Sequence, residues 1–371
     1  MPSYINAIGT AVPEHKIVQA DIVRFMGRAH QMSETEKRRL MALYRASGIQ
    51  YRHSVLQDFG QNGGFSFFPD NKDLEPFPTI AARMQLYREY ALPLSLRAVR
   101  HCLQGQEKDQ AQKVTHLIVV SCTGMYAPGI DIELVNELEL SPHVQRTCIN
   151  FMGCYAAFNA LKTADHIIRS NADARVLMVC TELCTIHFQK EKTEDNLLSN
   201  ALFADGAAAV LLSGEAEADK PQMELEHFHC DLALEGRQEM AWKIGDFGFE
   251  MKLSSYVPDI ISRGIGRLTR ELLEHLQTKS ADMRPAYYAI HPGGKRILEV
   301  IEEQLELSKE DNRFAYQVLQ QYGNMSSPTV LFVLQKIFQE LNTTDHDKRI
   351  LSFAFGPGLT MESMLLKIHS S

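Results

Sequence analysis

The sequence predicts an α/β fold in which buried strands alternate with helices, so that the sheet is covered on both faces. The run from His116 to Gly124 is continuously apolar and closes on small residues, as in a strand buried on both sides. The second half of the chain repeats the order of strand, tight turn and helix. A length of 371 residues, of which 45% are hydrophobic, is enough for two domains with cores of their own.

The elements before the buried strand at His116–Gly124 are predicted from local signals. Ser33 and Glu36 have the spacing of a capping box, and Gly48 can end the helix that they begin. The sequence predicts in order a strand Tyr4–Ala11, a helix Glu34–Ala46, a loop Phe59–Pro78 and a helix Ile80–Leu103 bent near Pro93.

The rest of the chain divides into two similar series of elements. The first series has strands at His116–Gly124, Thr147–Phe151, Arg175–Cys180 and Ala207–Leu212, with a helix at Cys154–Arg169. The second has strands at Tyr287–His291, Ile350–Phe355 and Leu359–Ile368, with a helix that opens at Gly323–Asn324 and runs to Leu341. We therefore predict halves 1–220 and 221–371, with a boundary near residues 214–222.

Composition excludes several classes of protein. The formal net charge is -8, whereas proteins that neutralise nucleic-acid phosphates usually carry a basic excess. The seven cysteines are an odd number and lie mostly in apolar runs, which favours reduced thiols in a cytoplasmic protein. We expect no signal peptide and no membrane span, since the longest apolar runs fall far short of roughly 20 residues.

Three side chains are candidates for chemistry. Cys154 lies between a strand and a helix N-terminus, a setting that lowers thiol pKa values, although a buried structural cysteine is equally compatible with the pattern. His291 and Asn324, taken singly, are ordinary as a turn histidine and a helix cap. Because the three occupy related positions in the two halves, we expect a nucleophile, a base and a neutral hydrogen-bond donor to meet in one cleft.

Several motifs resemble the chalcone and stilbene synthase family, the type III polyketide synthases. They run in the same order over nearly the whole chain: Phe151-Met-Gly-Cys154-Tyr-Ala-Ala, Ala201-Leu-Phe203-Ala-Asp-Gly-Ala, Ala289-Ile-His291-Pro-Gly-Gly, Tyr322-Gly-Asn324-Met-Ser-Ser and Phe355-Gly-Pro-Gly-Leu-Thr-Met-Glu362. The resemblance, to a bacterial-type member, implies a homodimer and a thiolase-like fold. In that fold two pseudo-symmetric βαβαβ halves form five layers, αβαβα.

The resemblance also implies a reaction. Cys154 would be loaded by an acyl-CoA starter as a thiolate paired with the His291 imidazolium. Malonyl-CoA would lose carbon dioxide while His291 and Asn324 stabilise the enolate, and the chain would grow by condensation. The product would be an aromatic compound, resorcinol- or phloroglucinol-like, or a pyrone. Coenzyme A thioesters serve as substrates, and neither a metal nor a redox cofactor is expected.

Further residues match the family's cavity and coenzyme A tunnel. Phe203 matches a gatekeeper phenylalanine, and Met251 stands at the second gatekeeper position. The other cavity positions are Thr123, Cys184, His187, Ser199, Trp242 and Ser326. The tunnel positions are Arg52, Gly293, Gly294, Lys295 and Arg296, where basic side chains can meet phosphates.

Other interpretations stay open at this point. The chain can instead be a ketoacyl synthase that performs a single condensation, or a catalytically silent dimeric acyl-binding protein. Cys180, Cys184 and His187 suggest a zinc site, but no second ligand cluster lies close in sequence, so we do not expect one.

Overall fold

The computed structural model describes residues 2–104, 110–216, 220–274 and 284–370. Residues 217–219, within the predicted boundary at 214–222, lie outside the described residues, and the boundary stays a prediction. The strands are β1 Tyr4–Ala11, β2 His15–Val18, β3 Tyr51–Ser54, β4 His116–Ser121, β5 Gln145–Asn150, β6 Arg175–Leu183, β7 Asp205–Ser213, β8 Gln222–Leu232, β9 Met240–Gly245, β10 Gly248–Leu253, β11 Tyr287–Ile290, β12 Arg349–Gly356 and β13 Thr360–His369. The helices are α1 Gln19–Ala29, α2 Glu34–Ala46, α3 Ile80–Leu103, α4 Ile130–Glu137, α5 Ala156–Ser170, α6 Glu194–Leu202, α7 Val257–Glu274, α8 Lys295–Leu305, α9 Arg313–Tyr322 and α10 Thr329–Glu340.

The sheet topology repeats between the two halves. Within the described ranges, nine strands form one sheet in the order β11-β12-β13-β8-β1-β7-β6-β4-β5. Read outward from its centre, β1-β7-β6-β4 on one side matches β8-β13-β12-β11 on the other. In each series the first two pairings are antiparallel and the third is parallel. The two pseudo-symmetric halves inferred from element order are therefore confirmed, and they join where Tyr4 and Ile5 pair with Glu224 and Met223.

The helices complete five layers. Helix α5 contacts β4 and β6 of the first half and β13 of the second, while α10 contacts β11 as well as β1 and β7. Both therefore lie between the two wings of the sheet. Helix α3 covers the outer side of β1, β6 and β7, and α7 covers β8 and β13. Strand β4 shows why its sequence is apolar throughout: Leu117 and Val119 enter the outer core, whereas Ile118 and Val120 enter the core around α5.

Helices α2 and α3 begin and end where the sequence predicts. The Ser33 side chain accepts from Glu36 N–H and the Glu36 carboxylate accepts from Ser33 N–H, which confirms the capping box of α2. Helix α3 has the predicted bounds and continues through Pro93. In the parts of the chain that the structure describes, no helix is both long enough and apolar enough to cross a bilayer.

One prediction is wrong in a way that matters for the site. Asn324 does not open a helix, because α10 begins only at Thr329, with Pro328 as its N-cap residue. Instead Asn324 pairs with the segment around Phe203: its N–H donates to Leu202 O, and its own carbonyl accepts from Ala204 N–H. This backbone pairing holds Asn324 against the first half of the molecule.

Candidate active site

A tight turn after β5 presents Cys154. Phe151 and Gly153 both have positive φ, at 61° and 78°, and they turn the chain into the short 3-10 segment Gly153–Tyr155 that precedes α5. A Cβ on Gly153 would lie 2.4 Å from Pro357 Cδ, so a larger residue is excluded by space as well as by conformation. The Gly-Pro-Gly turn after β12 therefore packs directly on the turn that carries the cysteine.

Cys154, His291 and Asn324 line one cavity, although they come from different elements. His291 follows β11, and its N–H donates to Phe353 O of β12. All three side chains are at least 94% buried. The cavity, of about 30 Å³, is completed by apolar and small residues: Cys122, Thr123, Gly153, Cys184, Phe203, Met240, Trp242, Met251, Leu253, Gly293, Ile297, Ser326, Phe355 and Pro357.

Hydrogen bonds fix which way the Asn324 amide points. Its Oδ1 accepts from Ser326 N–H at 2.8 Å, and its Nδ2 donates to Gly293 O at 3.2 Å. The Cys154 sulfur lies 3.9 Å from both amide atoms. An amide nitrogen has two N–H groups, and only one is used by Gly293. The other is directed to the Cys154 sulfur and can donate to an oxygen bound there.

Burial dominates the electrostatics of the cavity. It raises the pKa of Cys154 to about 11, although hydrogen bonds from Ser326 and Asn324 oppose the rise. Burial also lowers the pKa of His291 to about 3. The expected lowering of the thiol pKa is therefore wrong, because desolvation outweighs the helix terminus. Among the described residues neither ring nitrogen of His291 has a hydrogen-bond partner, so a neutral imidazole faces the cavity.

A buried carboxylate that sequence reasoning missed supports the cavity wall. Glu182, at the end of β6, accepts from Cys122 N–H and Sγ, both at 3.0 Å, from Thr123 Oγ1 at 2.8 Å and from Ser327 Oγ at 2.7 Å. Ser326 in turn lies 3.5 Å from Cys122 Sγ. Glu182 thus ties the end of β4 to the segment that carries Asn324. An acidic residue ending an otherwise apolar strand was the available signal.

A second cavity adjoins the first behind a wall of four shared side chains: Cys184, Phe203, Trp242 and Met251. The wall is held in place, since Trp242 Nε1 donates to Cys122 O at 2.7 Å. Of the residues predicted for the acyl cavity, Ser199 and His187 line this second space rather than the catalytic one. The His187 ring stacks on Phe249 at 4.2 Å.

The predicted coenzyme A residues separate into two groups. Gly293, Gly294, Lys295 and Arg296 line a surface groove of about 280 Å³, which shares Leu253, Gly293 and Ile297 with the catalytic cavity. The groove wall also includes apolar residues that the sequence did not single out: Leu43, Leu198, Leu202 and Pro258. The groove therefore adjoins the cavity that contains Cys154. Both cations at its mouth already contact carboxylates, Lys295 with Glu299 at 3.3 Å and Arg296 with Glu303 at 3.1 Å.

Arg52 does not belong to the groove, which contradicts the prediction for this residue. It is only 4% exposed and donates to Gln19 Oε1, to Asn200 O and to Phe203 O, each within 2.8 Å. Its role is to hold the end of α6, and it lines the second cavity instead. The sequence shows that Arg52 is a basic residue, but it does not reveal the hydrogen-bond partners of Arg52, because they lie far away along the chain.

The suggested zinc ligands do not form a site. His187 Nε2 hydrogen-bonds Thr123 O at 2.7 Å and its Nδ1 accepts from Phe249 N–H, so both ring nitrogens are engaged. In the described ranges, no group of three or more His, Cys, Asp or Glu side chains is arranged to hold a metal ion.

Comparisons with known proteins agree along the whole chain. Residues 2–216 match the family model of chalcone and stilbene synthases, N-terminal domain, and residues 225–369 match that of the C-terminal domain. The chain is 30% identical to the alpha-pyrone synthesis polyketide synthase-like Pks18 of Mycobacterium tuberculosis, over 98% of this chain and 91% of that protein. It is also 30% identical to a putative chalcone synthase of Bacillus subtilis, over 98% of both chains.

Solved structures show the same fold. The type III polyketide synthase domain of Steely1 from Dictyostelium superposes with a TM-score of 0.91 at 27% identity, covering 99% of both chains. PKS-I from the brown alga Ectocarpus siliculosus superposes with a TM-score of 0.89 at 28% identity, over 99% of this chain and 98% of that one. The thiolase-like α/β fold expected from the sequence is thereby confirmed.

Proposed function

The chain belongs to the chalcone and stilbene synthase family, the type III polyketide synthases, and from this premise we propose that it builds a short polyketide on Cys154 from coenzyme A thioesters. Members of this family are acyltransferases that condense acyl units. The observation that carries the proposal is the meeting of Cys154, His291 and Asn324 in one buried cavity that adjoins a surface groove.

Loading begins from a neutral pair. A free ring nitrogen of His291 takes the proton of the Cys154 thiol as the sulfur attacks the carbonyl carbon of the starter thioester. The C–S bond to coenzyme A then breaks, and the leaving thiolate receives the proton from His291. Burial raises the pKa of Cys154 and lowers the pKa of His291. It therefore supports proton transfer during the attack and disfavours a thiolate–imidazolium pair in the resting protein.

Extension uses the same donors on a second substrate. Malonyl-CoA loses carbon dioxide, and the electrons of the broken C–C bond move into the thioester carbonyl as an enolate. The second N–H of Asn324, which is directed to the sulfur in the resting protein, and the N–H of the neutral His291 ring donate to the enolate oxygen. The enolate carbon attacks the carbonyl carbon of the Cys154 thioester. A C–C bond forms and the C–S bond to Cys154 breaks, which leaves the extended chain on coenzyme A and the Cys154 sulfur as a thiolate. The chain returns to Cys154 for the next round.

Release is proposed to give a pyrone or a small aromatic ring. For a pyrone, an enol oxygen of the chain attacks the thioester carbon, the C–S bond breaks and the thiol is regenerated. A relative whose name describes alpha-pyrone synthesis favours the pyrone. We further propose that the protein works as a homodimer and needs neither a metal nor a redox cofactor.

Intact-protein mass spectrometry tests the loading step. After incubation with hexanoyl-CoA, the wild-type protein is expected to gain one hexanoyl group, and peptide mapping should place it on Cys154. Cys154→Ala should gain none, whereas Cys148→Ala, which changes an exposed cysteine, should load like the wild type. Loading of Cys154→Ala would contradict the proposal.

Product analysis separates the proposal from a single-condensation enzyme. With carbon-labelled malonyl-CoA and hexanoyl-CoA, we expect a free cyclised product with two or three labelled units. A linear β-ketoacyl thioester as the only product would instead show a ketoacyl synthase.

A further inference from the structure

The second cavity carries polar groups that the reaction described above does not use. Its walls are largely apolar, from Ile17, Ile22, Met26, Phe59 and Phe188, and its volume is about 40 Å³. One water needs roughly 10–15 Å³ on this scale, so the space fits a small terminal group rather than a ring. It adjoins the catalytic cavity across Phe203 and Trp242.

Two hydrogen-bond donors in this cavity lack partners within the described part of the chain. Arg52 Nη2 and Ser199 Oγ are both buried and form no hydrogen bond within 3.5 Å, although the Tyr44 hydroxyl lies close enough to Arg52 to raise the pKa of the guanidinium against the effect of burial. The two belong to one neighbourhood, because Arg52 Nη1 donates at 2.8 Å to the carbonyl of Asn200, the residue after Ser199. A buried donor left without an acceptor is destabilising, so an acceptor that reaches these groups would recover free energy.

Charge in the surroundings is compatible with either a neutral or an anionic acceptor. Arg52 is the one Lys or Arg among the residues that line the cavity, and the Asp205 carboxylate balances its charge only in part, since that carboxylate already accepts from Thr185 and from Val55 N–H. The other polar side chains of the cavity are occupied: Asn200 Nδ2 donates to Gln189 O, and His187 uses both ring nitrogens.

We propose that the second cavity is a subsite for an oxygen-bearing end of the acyl chain, and that Arg52 Nη2 and Ser199 Oγ donate to that oxygen. The preferred starter is then an acyl-CoA with a hydroxyl or a carboxylate at its distal end. This inference rests on the proposed function, since it concerns the chain carried by Cys154. Ser199 is its specificity-determining residue, while Arg52 also holds the Phe203 segment.

The test compares starters that differ only at the distal carbon. Hexanoyl-CoA, 6-hydroxyhexanoyl-CoA and adipoyl-CoA, with the corresponding four- and eight-carbon sets, are each given with malonyl-CoA, and kcat/KM is measured. We expect an oxygen-bearing starter to exceed its methyl-ended partner by about tenfold, which corresponds to roughly 1.4 kcal/mol. The hydroxyl and carboxylate arms decide which oxygen is preferred.

Variants connect the preference to the cavity. Ser199→Ala should lower the preference severalfold by raising KM for the oxygen-bearing starters alone, and Ser199→Thr, which keeps the hydroxyl, should preserve it. Ser170→Ala, at an exposed position at the end of α5, is the matched control and should leave all values unchanged. Thermal melting of each variant reports whether it has folded.

The outcomes distinguish this inference from the proposed function. Equal kcat/KM values for all three chain ends in the wild type, or an unchanged preference in a folded Ser199→Ala protein, would overturn the subsite while leaving the synthase intact. If no starter forms an adduct on Cys154, the proposed function itself fails, and the subsite fails with it.

Discussion

At the scale of single residues, the pair Cys154 and His291 is held neutral by burial. The pKa of Cys154 is about 11 and that of His291 is about 3, so between these values both groups lack charge. The thiolate fraction should then rise tenfold per pH unit up to about pH 11. A preformed thiolate–imidazolium pair would instead give a constant thiolate fraction through neutral pH.

Alkylation of Cys154 by iodoacetamide measures this directly. The rate at Cys154, followed by peptide mass spectrometry, should increase about tenfold per unit between pH 7 and 10, because the thiolate is the reacting form. His291→Ala should show the same slope, since the neutral imidazole does not hold the thiolate in the resting protein. A rate that is flat from pH 6 to 9 in the wild type and falls in His291→Ala would contradict the neutral pair.

At the scale of elements, the turn between β5 and α5 depends on Gly153. Its φ of 78° and the 2.4 Å approach of Pro357 Cδ leave no room for a Cβ. Gly153→Ala should therefore lower the free energy of unfolding by about 1–3 kcal/mol and displace Cys154, so that acyl loading drops by at least tenfold.

Gly266 supplies the matched control for this prediction. It lies inside α7 without a positive φ, and a Cβ at this position would meet no described atom within 4 Å. Gly266→Ala should be neutral or stabilise the protein by about 0.5–1 kcal/mol, because alanine favours the helix. Chemical denaturation compares the two variants; an equal effect of both would show that the turn is not the constraint.

The same scale shows what the sequence could and could not predict. The start of α2 is predictable from the sequence because Ser33 and Glu36 form a capping box within one turn. Asn324 was predicted in the right cavity but in the wrong element, since its backbone pairs with Leu202 and Ala204, more than a hundred positions earlier. Likewise, the partners that bury Arg52 come from the start of α1 and from the end of α6 and the residue after it, and pattern alone does not reveal such distant pairings.

Electrostatic effects were the hardest to predict. A cysteine at a helix N-terminus suggests a low thiol pKa, but the actual pKa depends on how completely both halves of the molecule enclose it. The role of Glu182 was not predictable from the sequence either. Its donors Cys122, Thr123 and Ser327 come from both halves, and only the folded chain brings them to one carboxylate.

At the scale of the whole molecule, the two ends of the described sheet differ. Strand β11 is covered by α9 and α10, whereas β5 is mostly exposed along its length. An uncovered edge strand offers unpaired backbone groups to another chain. Beside β5 lies a hollow of about 370 Å³ lined by Met125, Tyr126, Ala127 and Cys148, and Met125 is 46% exposed. An open edge next to apolar side chains suits a second copy of this chain.

We therefore expect a homodimer that uses β5, with a mass twice the 42.0 kDa of one chain in light scattering. Cys148→Arg places a charge in the middle of that edge and should weaken self-association by about a hundredfold or more, because burying an unpaired charge costs several kcal/mol. Cys230→Arg makes the same change at an exposed cysteine of β8, between two paired strands, and should leave the mass unchanged. Analytical ultracentrifugation over a concentration series compares the three proteins. A monomeric wild type, or a Cys148→Arg protein that dimerises as strongly as the wild type, would exclude β5 as the interface, and the dimer would then have to be sought on another face.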